Sequence, residues 1–365
     1  MTYKTSRRQF LATASASGLI LGLPGLRGAR AQSALEFPQL AGDSEIVVVT
    51  WGGSTNDRFQ QYYLNDFTPD YGISAQFTSY PDVARLEVMN QIGNVEWDMV
   101  DFEGAQMNIA SGKGLLRPID YDLIHSVVPA DQLATAFCRE YGIGSVSFST
   151  NIGWNSNLYP DGGPQSWVEF FDTERFPGRR GLYAQPRPSF EIALMAAGVP
   201  IADIYPMDMN EAFEALDAIR DKVDQWVERT SQWGVMLQNN EVDLAGASLS
   251  RLVDEKLANR GWDLNFKQSI LEQSYWTIPA NAPNGDDAMK VLAWLLRAPG
   301  QKAYAESTPI GMTNTTIYDD LTGPYAPFSP ASPANTADTL FIDDVWWTEH
   351  QEEAQVRWLD WLSAS

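Results

Sequence analysis

The chain has 365 residues, with 47 acidic against 25 basic side chains, a formal charge of −22, and 44% hydrophobic residues that include 13 Trp, 14 Tyr and 16 Phe. A surface this negative repels nucleic acid and anionic lipid, and a single cysteine, Cys138, excludes an intramolecular disulfide. Stability must come from packing, for which the aromatic content supplies ample apolar surface.

The first 31 residues hold five Lys and Arg and no acid, which leaves a formal charge of −27 on the rest. Lys4, Arg7 and Arg8 precede an apolar but Ala-, Ser- and Gly-rich run over 10–23, and Ala29-Arg30-Ala31 fits a small-x-small cleavage site. That run is shorter than the roughly 20 residues needed to span hydrocarbon. Residues 1–31 therefore read as a cleaved export signal, and Ser6-Arg7-Arg8-Gln9-Phe10-Leu11 resembles the twin-arginine type. A periplasmic location is expected.

Residues 45–50 form a β-branched run that predicts a buried strand, ending in the tight turn Trp51-Gly52-Gly53-Ser54. A helix is expected over 56–67, where Phe59, Tyr62, Tyr63 and Phe67 recur at helical spacing. A strand over 74–80, a helix over 83–92 and a strand over 97–101 follow. This alternation implies an α/β protein with a parallel, doubly wound sheet. The stretch 142–154 is extended, lacks helical periodicity and is long enough to cross between lobes. A short helix is expected near 166–172. Phe213, Leu216, Ile219, Val223 and Trp226 predict one long helix over 207–232. A strand over 241–246, a helix over 250–260, a second crossing over 275–279 and a helix over 286–296 come next. An irregular Pro-, Ala- and Ser-rich connection over 322–332 precedes a last helix over 347–362.

Little supports catalysis. His125 and His350 are the only imidazoles and have no Cys or His at ligand spacing, so each reads as a surface or satisfied histidine and no metal is expected. Gly142-Ile143-Gly144-Ser145 lacks the Lys-Ser/Thr ending of a phosphate loop. Among so many acids, the pairs Asp286-Asp287 and Asp343-Asp344 read as solvated loop charges. No catalytic residue and no cofactor is expected. In open α/β sheets, ligands lie beyond the carboxyl ends of the strands. There Gly52 and Gly53 let backbone N–H groups approach, Ser54 adds a hydroxyl, and Trp51 either stacks on a ligand or caps the core. Asp101 and Glu103, after the third strand, either hold a cation or cap the following helix.

Further short motifs share an order and spacing: Thr50-Trp51-Gly52-Gly53, Trp97-Asp98-Met99-Val100, the run 114–120, Ser166-Trp167, Phe176-Pro177-Gly178-Arg179-Arg180-Gly181, Asn240-Glu241-Val242-Asp243-Leu244, and Ile278-Pro279-Ala280-Asn281-Ala282-Pro283-Asn284. Together they resemble the periplasmic solute-binding proteins of ABC importers, specifically the spermidine/putrescine-binding group with the type II two-lobed fold. The resemblance implies two lobes, each a doubly wound sheet flanked by helices, joined by two crossing strands. Lobe 1 would comprise 44–147 and 278–325 and lobe 2 would comprise 148–277 and 326–365, with the hinge near 147–151 and 274–278. It also implies a monomeric, non-enzymatic binder that closes over a small solute and delivers it to a permease and ATPase complex of the inner membrane.

Trp51 matches the first residue of that group's aromatic box. The group's paired acids fall where this chain has Gln185 and Arg187, one of its tryptophans falls at or near Ser248, and its Trp-x-Asp falls near Glu272 and Ser274. The resemblance implies an amine or polyamine-type ligand. The departures allow an alternative, a zwitterion such as an amino acid derivative or aminophosphonate, with Arg187 on the acid group and Glu103 or Glu272 with Trp51 on the ammonium. A further alternative is an exported enzyme without a visible catalytic motif.

Overall fold

The computed structural model describes residues 35–364, so the signal segment 1–31 lies outside the described residues. β1 (Glu45–Thr50) ends at Gly52 and Gly53, whose φ angles of 82° and 58° suit residues without a Cβ. From there α1 (Ser54–Phe59) runs through a π-helical turn (Gln60–Leu64) into α2 (Asn65–Tyr71), turning Phe59, Tyr63 and Phe67 into the core. β2 (Ser74–Ser79), α3 (Val83–Gln91), β3 (Met99–Glu103), α4 (Gly104–Gly112) and α5 (Tyr121–His125) complete the first stretch. β4 (Cys138–Arg139) leads into β5 (Gly142–Asn155), followed by α6 (Trp167–Phe170), β6 (Arg180–Tyr183), α7 (Pro186–Ala196) and α8 (Met209–Arg220).

The single helix expected over 207–232 is broken. β7 (Gln225–Val227) separates α8 from α9 (Thr230–Gln238), because Asp224 N–H donates to the Arg180 carbonyl at 2.8 Å while Arg180 N–H donates to the Asp224 carboxylate at 2.7 Å, which lays the chain along β6. Trp226 still packs against the same core as Leu216 and Ile219, but from a strand, so the helical spacing of apolar residues had a different cause. β8 (Leu244–Ser248), α10 (Leu249–Leu257), β9 (Trp262–Leu264), β10 (Ser269–Thr277), α11 (Gly285–Leu295), α12 (Ala298–Ala305), β11 (Thr339–Phe341) and α13 (Asp344–Ser363) finish the chain.

The strand order is β2-β1-β3-β10-β5-β8-β6-β7, with β11 beside β10, and β4 and β9 beside β5. β1, β2 and β3 run parallel, as do β6, β7 and β8, which gives each end of the sheet a doubly wound character. β5 and β10 are antiparallel to each other and join the two ends, β10 pairing with β3 and β5 with β8. Their register shifts between Gln273 and Tyr275. Beyond the shift, Ser274 to Thr277 pair with Glu103 to Val100 of β3. That pairing sets 274–277 beside β3, in the half of the sheet that holds β1 and β2. One core gathers Val49, Leu86, Trp97, Phe102 and Tyr275 on the β1–β3 side. A second gathers Trp154, Trp167, Phe190, Leu216, Trp347 and Trp358, so α13 closes the second lobe while Asn108 of α4 donates to its first turn at the Asp344 carbonyl, 3.3 Å away.

Two of the motifs prove architectural. Asp98 is fully buried and accepts from the backbone N–H of Val47 at 2.8 Å and of Asn284 at 2.6 Å, tying β1 to the segment that leaves β10. Arg180, 1% exposed, donates to the carbonyls of Phe170 at 2.7 Å and Gly178 at 2.6 Å and so pins the loop before β6. Replacing Asp98 by Ala strands two partly buried N–H donors, each worth about 1–3 kcal/mol when left unpaired. Urea unfolding of Asp98→Ala should therefore show a loss of at least about 2 kcal/mol.

Candidate ligand-binding cleft

The carboxyl ends of β1, β3, β6 and β8 open on one cavity of about 570 Å³, floored by the middles of β5 and β10. Of the residues singled out in the sequence, Trp51, Glu103, Gln185, Arg187, Ser248, Glu272 and Ser274 line it. Gly52, Gly53 and Ser54 do not. The Gly52 N–H donates to Thr50 Oγ1 at 3.0 Å, and Ser54 Oγ accepts from Arg58 at 2.8 Å, so these groups serve the turn and the helix start, and the next residue, Thr55, reaches the cavity instead. Trp51 is 40% exposed, which excludes the core-capping role and leaves its ring to the cavity wall. The wall also holds Val146, Phe148, Tyr183, Thr230 and Arg251. Alternation along β5 carried the signal for Val146 and Phe148, but nothing local marks Arg251 as different from any arginine on a helix.

Arg187 dominates the electrostatics. It sits between two prolines, and its extended backbone (φ −98°, ψ 124°) is the conformation that a following proline imposes. Its guanidinium donates to Glu103 at the end of β3, and its Nε lies 2.9 Å from Glu272 on β10. The ring of Trp347 lies 5.9 Å from its Cζ. Burial pulls the Arg187 pKa down, but Glu272 and Glu103 outweigh it and hold the side chain charged. One cation between two carboxylates leaves an excess negative charge. Asp101, below Glu103 on the same strand face, accepts from Ser145 Oγ at 2.5 Å.

Asp344 lies close by, packed so tightly on α4 that a Cβ at Gly104 would meet its carboxylate at 2.0 Å. This corrects the reading of Asp343-Asp344 as solvated charges: Asp343 caps α13 by accepting from Val345 and Trp346, and Asp344 belongs to the acidic cluster. Asp286 is solvated as expected, 86% exposed beside Arg117, whereas Asp287 is largely covered and pairs with Lys290. Glu191, behind Arg187, is buried and accepts from Tyr205 at 2.6 Å and Trp347 at 2.9 Å. Burial is the leading cause that raises four of these carboxyls: Glu191, Asp101 to about 7 against its hydrogen bond from Ser145, Glu272 to about 7 against Arg187, and Asp344 to about 6.

A solvent-lined cavity between two parallel sheet ends, floored by two shared strands, defines a two-lobed ligand-binding protein. The chain belongs to the bacterial extracellular solute-binding proteins, whose family model matches residues 63–337. It is 26% identical over 329 residues to the gamma-aminobutyric acid-binding protein of Pseudomonas aeruginosa, covering 88% of this chain and 92% of that one. Among solved structures, an ABC transporter substrate-binding protein from Bradyrhizobium japonicum superposes with a TM-score of 0.81 at 26% identity, covering 87% of this chain and 99% of the other. A GABA receptor superposes at 0.78 with 28% identity, covering 87% and 97%. The fold is that of type II periplasmic binding proteins. The protein is accordingly a non-enzymatic binder of a small molecule that it hands to an ABC permease. The spermidine/putrescine specificity expected from the sequence gains no such support, because two of these three relatives are named for gamma-aminobutyric acid and none of the three for a polyamine.

The raised carboxyls fix the sign of a pH dependence. Between the ordinary carboxylate range and about pH 7 the folded state holds more protons than the unfolded chain, so stability falls as pH rises. Thermal unfolding of the unliganded protein should drop by on the order of a few degrees from about pH 5 to 8. Asp101→Asn and Glu272→Gln should flatten that slope.

Proposed function

We propose that the cleft binds a small zwitterion carrying an ammonium and a carboxylate, of the ω-amino acid kind. The observation that carries this reading is the presence of both charge signs in the wall of one cavity: Glu103 and Glu272 paired with Arg187, and Arg251 apart from that cluster, together with Trp51 and the apolar Val146 and Phe148. A polyamine fits this wall poorly. One ammonium is accommodated by Glu103 and Glu272, but a second meets the Arg251 guanidinium, and Trp51 is the lone tryptophan among the lining residues. The gamma-aminobutyric acid-binding relatives support the same chemistry. A compact ω-amino acid does not fill about 570 Å³, so larger amino acid derivatives belong to the class.

Closure is read from β5 and β10. The register shift at Gln273–Tyr275, where the Gln273 amide donates to the Val146 carbonyl at 3.1 Å, is the proposed hinge. A solute that touches Trp51 and Glu103 on one lobe and Ser248 or Thr230 on the other favours the closed form by its differential contacts. Export by the twin-arginine route to the periplasm completes the proposal.

A ligand that binds only the folded state stabilises it by RT ln(1 + [L]/Kd), about 2.7 kcal/mol at a hundredfold excess over Kd. Thermal-shift measurement should show 4-aminobutanoate or a longer ω-amino acid raising the melting temperature, with putrescine and spermidine giving smaller shifts. Trp51→Ala should lose the shift while changing unliganded stability by no more than about 0.5 kcal/mol. A large shift with polyamines and none with amino acids would contradict the proposal.

A further inference from the structure

Resting on the zwitterion reading above, we propose that the solute lies in one orientation, its ammonium at Glu103 and Glu272 and its carboxylate at Arg251, not at Arg187. The sequence favours Arg187 as the anion receptor, because it stands where related proteins carry acids. The geometry reverses that assignment.

Arg187 already donates to Glu103, and its Nε is paired with Glu272 at 2.9 Å. Both pairings leave Arg187 no charge to spare for an anion, and the cluster turns net negative as Glu272 ionises. A carboxylate brought to Arg187 would have to approach two glutamates already held by that cation. An ammonium meets the opposite field and finds carboxylate oxygens ready to accept its hydrogens.

Arg251 is the contrasting cation. It lies in the first turn of α10 and lines the same cavity. Its one ion pair among the described residues is a long contact within its own helix, 3.8 Å from Nη1 to Asp254. Its Nε is shut off from solvent and meets no acceptor. The side chain as a whole is nevertheless 40% exposed, and a guanidinium presents paired donors that match a carboxylate. Ser248 and Ser250, whose hydroxyls lie 3.1 Å apart, flank it at the start of α10, where the helix dipole also favours an anion. Arg251 thus separates an amino acid from the corresponding amine.

Isothermal titration with 4-aminobutanoate, 5-aminopentanoate and their carboxylate-free counterparts, propylamine and butylamine, tests this. In the unaltered protein each amino acid should bind more tightly than its amine. Arg251→Gln should weaken the amino acids by on the order of tenfold to a hundredfold, leave the amines within about threefold, and bring the two classes together. Arg251→Lys should restore part of the gap, which a merely structural role would not produce, and unchanged melting of both variants confirms folding. Discrimination that survives in Arg251→Gln but vanishes in Arg187→Gln overturns the orientation while leaving the zwitterion reading intact. Failure of every ω-amino acid to bind the unaltered protein overturns both.

Discussion

A single guanidinium shared by two carboxylates organises the cleft. Arg187 arrives on the turn after β6, Glu103 on the end of β3 and Glu272 on the floor strand β10, so the pairings reach from one half of the sheet to the other. Such partly buried ion pairs are weak evidence for stability, because removing charges from water costs about as much as their attraction returns. Their consequence here is electrostatic bookkeeping of a local kind: one positive charge offsets one of two negative ones and leaves a site that favours a cation. That constraint turns an arginine in a binding pocket from an anion receptor into a counter-ion.

The scaffold explains why these three residues meet. β3 pairs with β10 from Val100 to Glu103, and β10 pairs in turn with β5, which places Glu103 and Glu272 on neighbouring strands. The register shift beside Ser274 lies directly between them and next to Val146, so the strands that would bend on closure also carry the acidic floor. α13 reaches the same spot from outside. Its first turn is tied to α4, Trp347 and Trp358 lie in the second core, and Trp347 also reaches the Arg187 guanidinium. The proposed closure must therefore be accommodated around Arg187.

Much of this was legible in the sequence because it follows from local chemistry. The β1, β2 and β3 runs, the long extended stretch that became β5, and the turn bearing Trp51 all follow from residue type and spacing. Motifs such as Trp97-Asp98 and Arg179-Arg180 marked the family for a structural reason, since Asp98 and Arg180 satisfy backbone groups that the fold would otherwise leave unpaired. Three things were hidden. The strand β7 was masked because Val223 and Trp226 mimic helical spacing. The acidity of Asp344 was masked because its partner residues are far away in sequence. Arg251 was invisible because only the tertiary structure shows that its Nε has no partner while Arg187 has two. Pairing across long sequence separations decides charge, and no local pattern reports it.

The central claim, that the Arg187 cluster receives the ammonium end of the solute, has a direct signature in proton exchange. With its carboxyl raised to about 7, Glu272 is partly protonated near neutral pH. An ammonium at its side favours the ionised form, whereas a carboxylate placed there favours the protonated form. Calorimetric titration of the protein with 4-aminobutanoate at about pH 6.5, in two buffers of different ionisation enthalpy, reads the number of protons exchanged on binding. Net proton release that disappears in Glu272→Gln is the result this account predicts. Net proton uptake, or binding with no exchange at all, would contradict it.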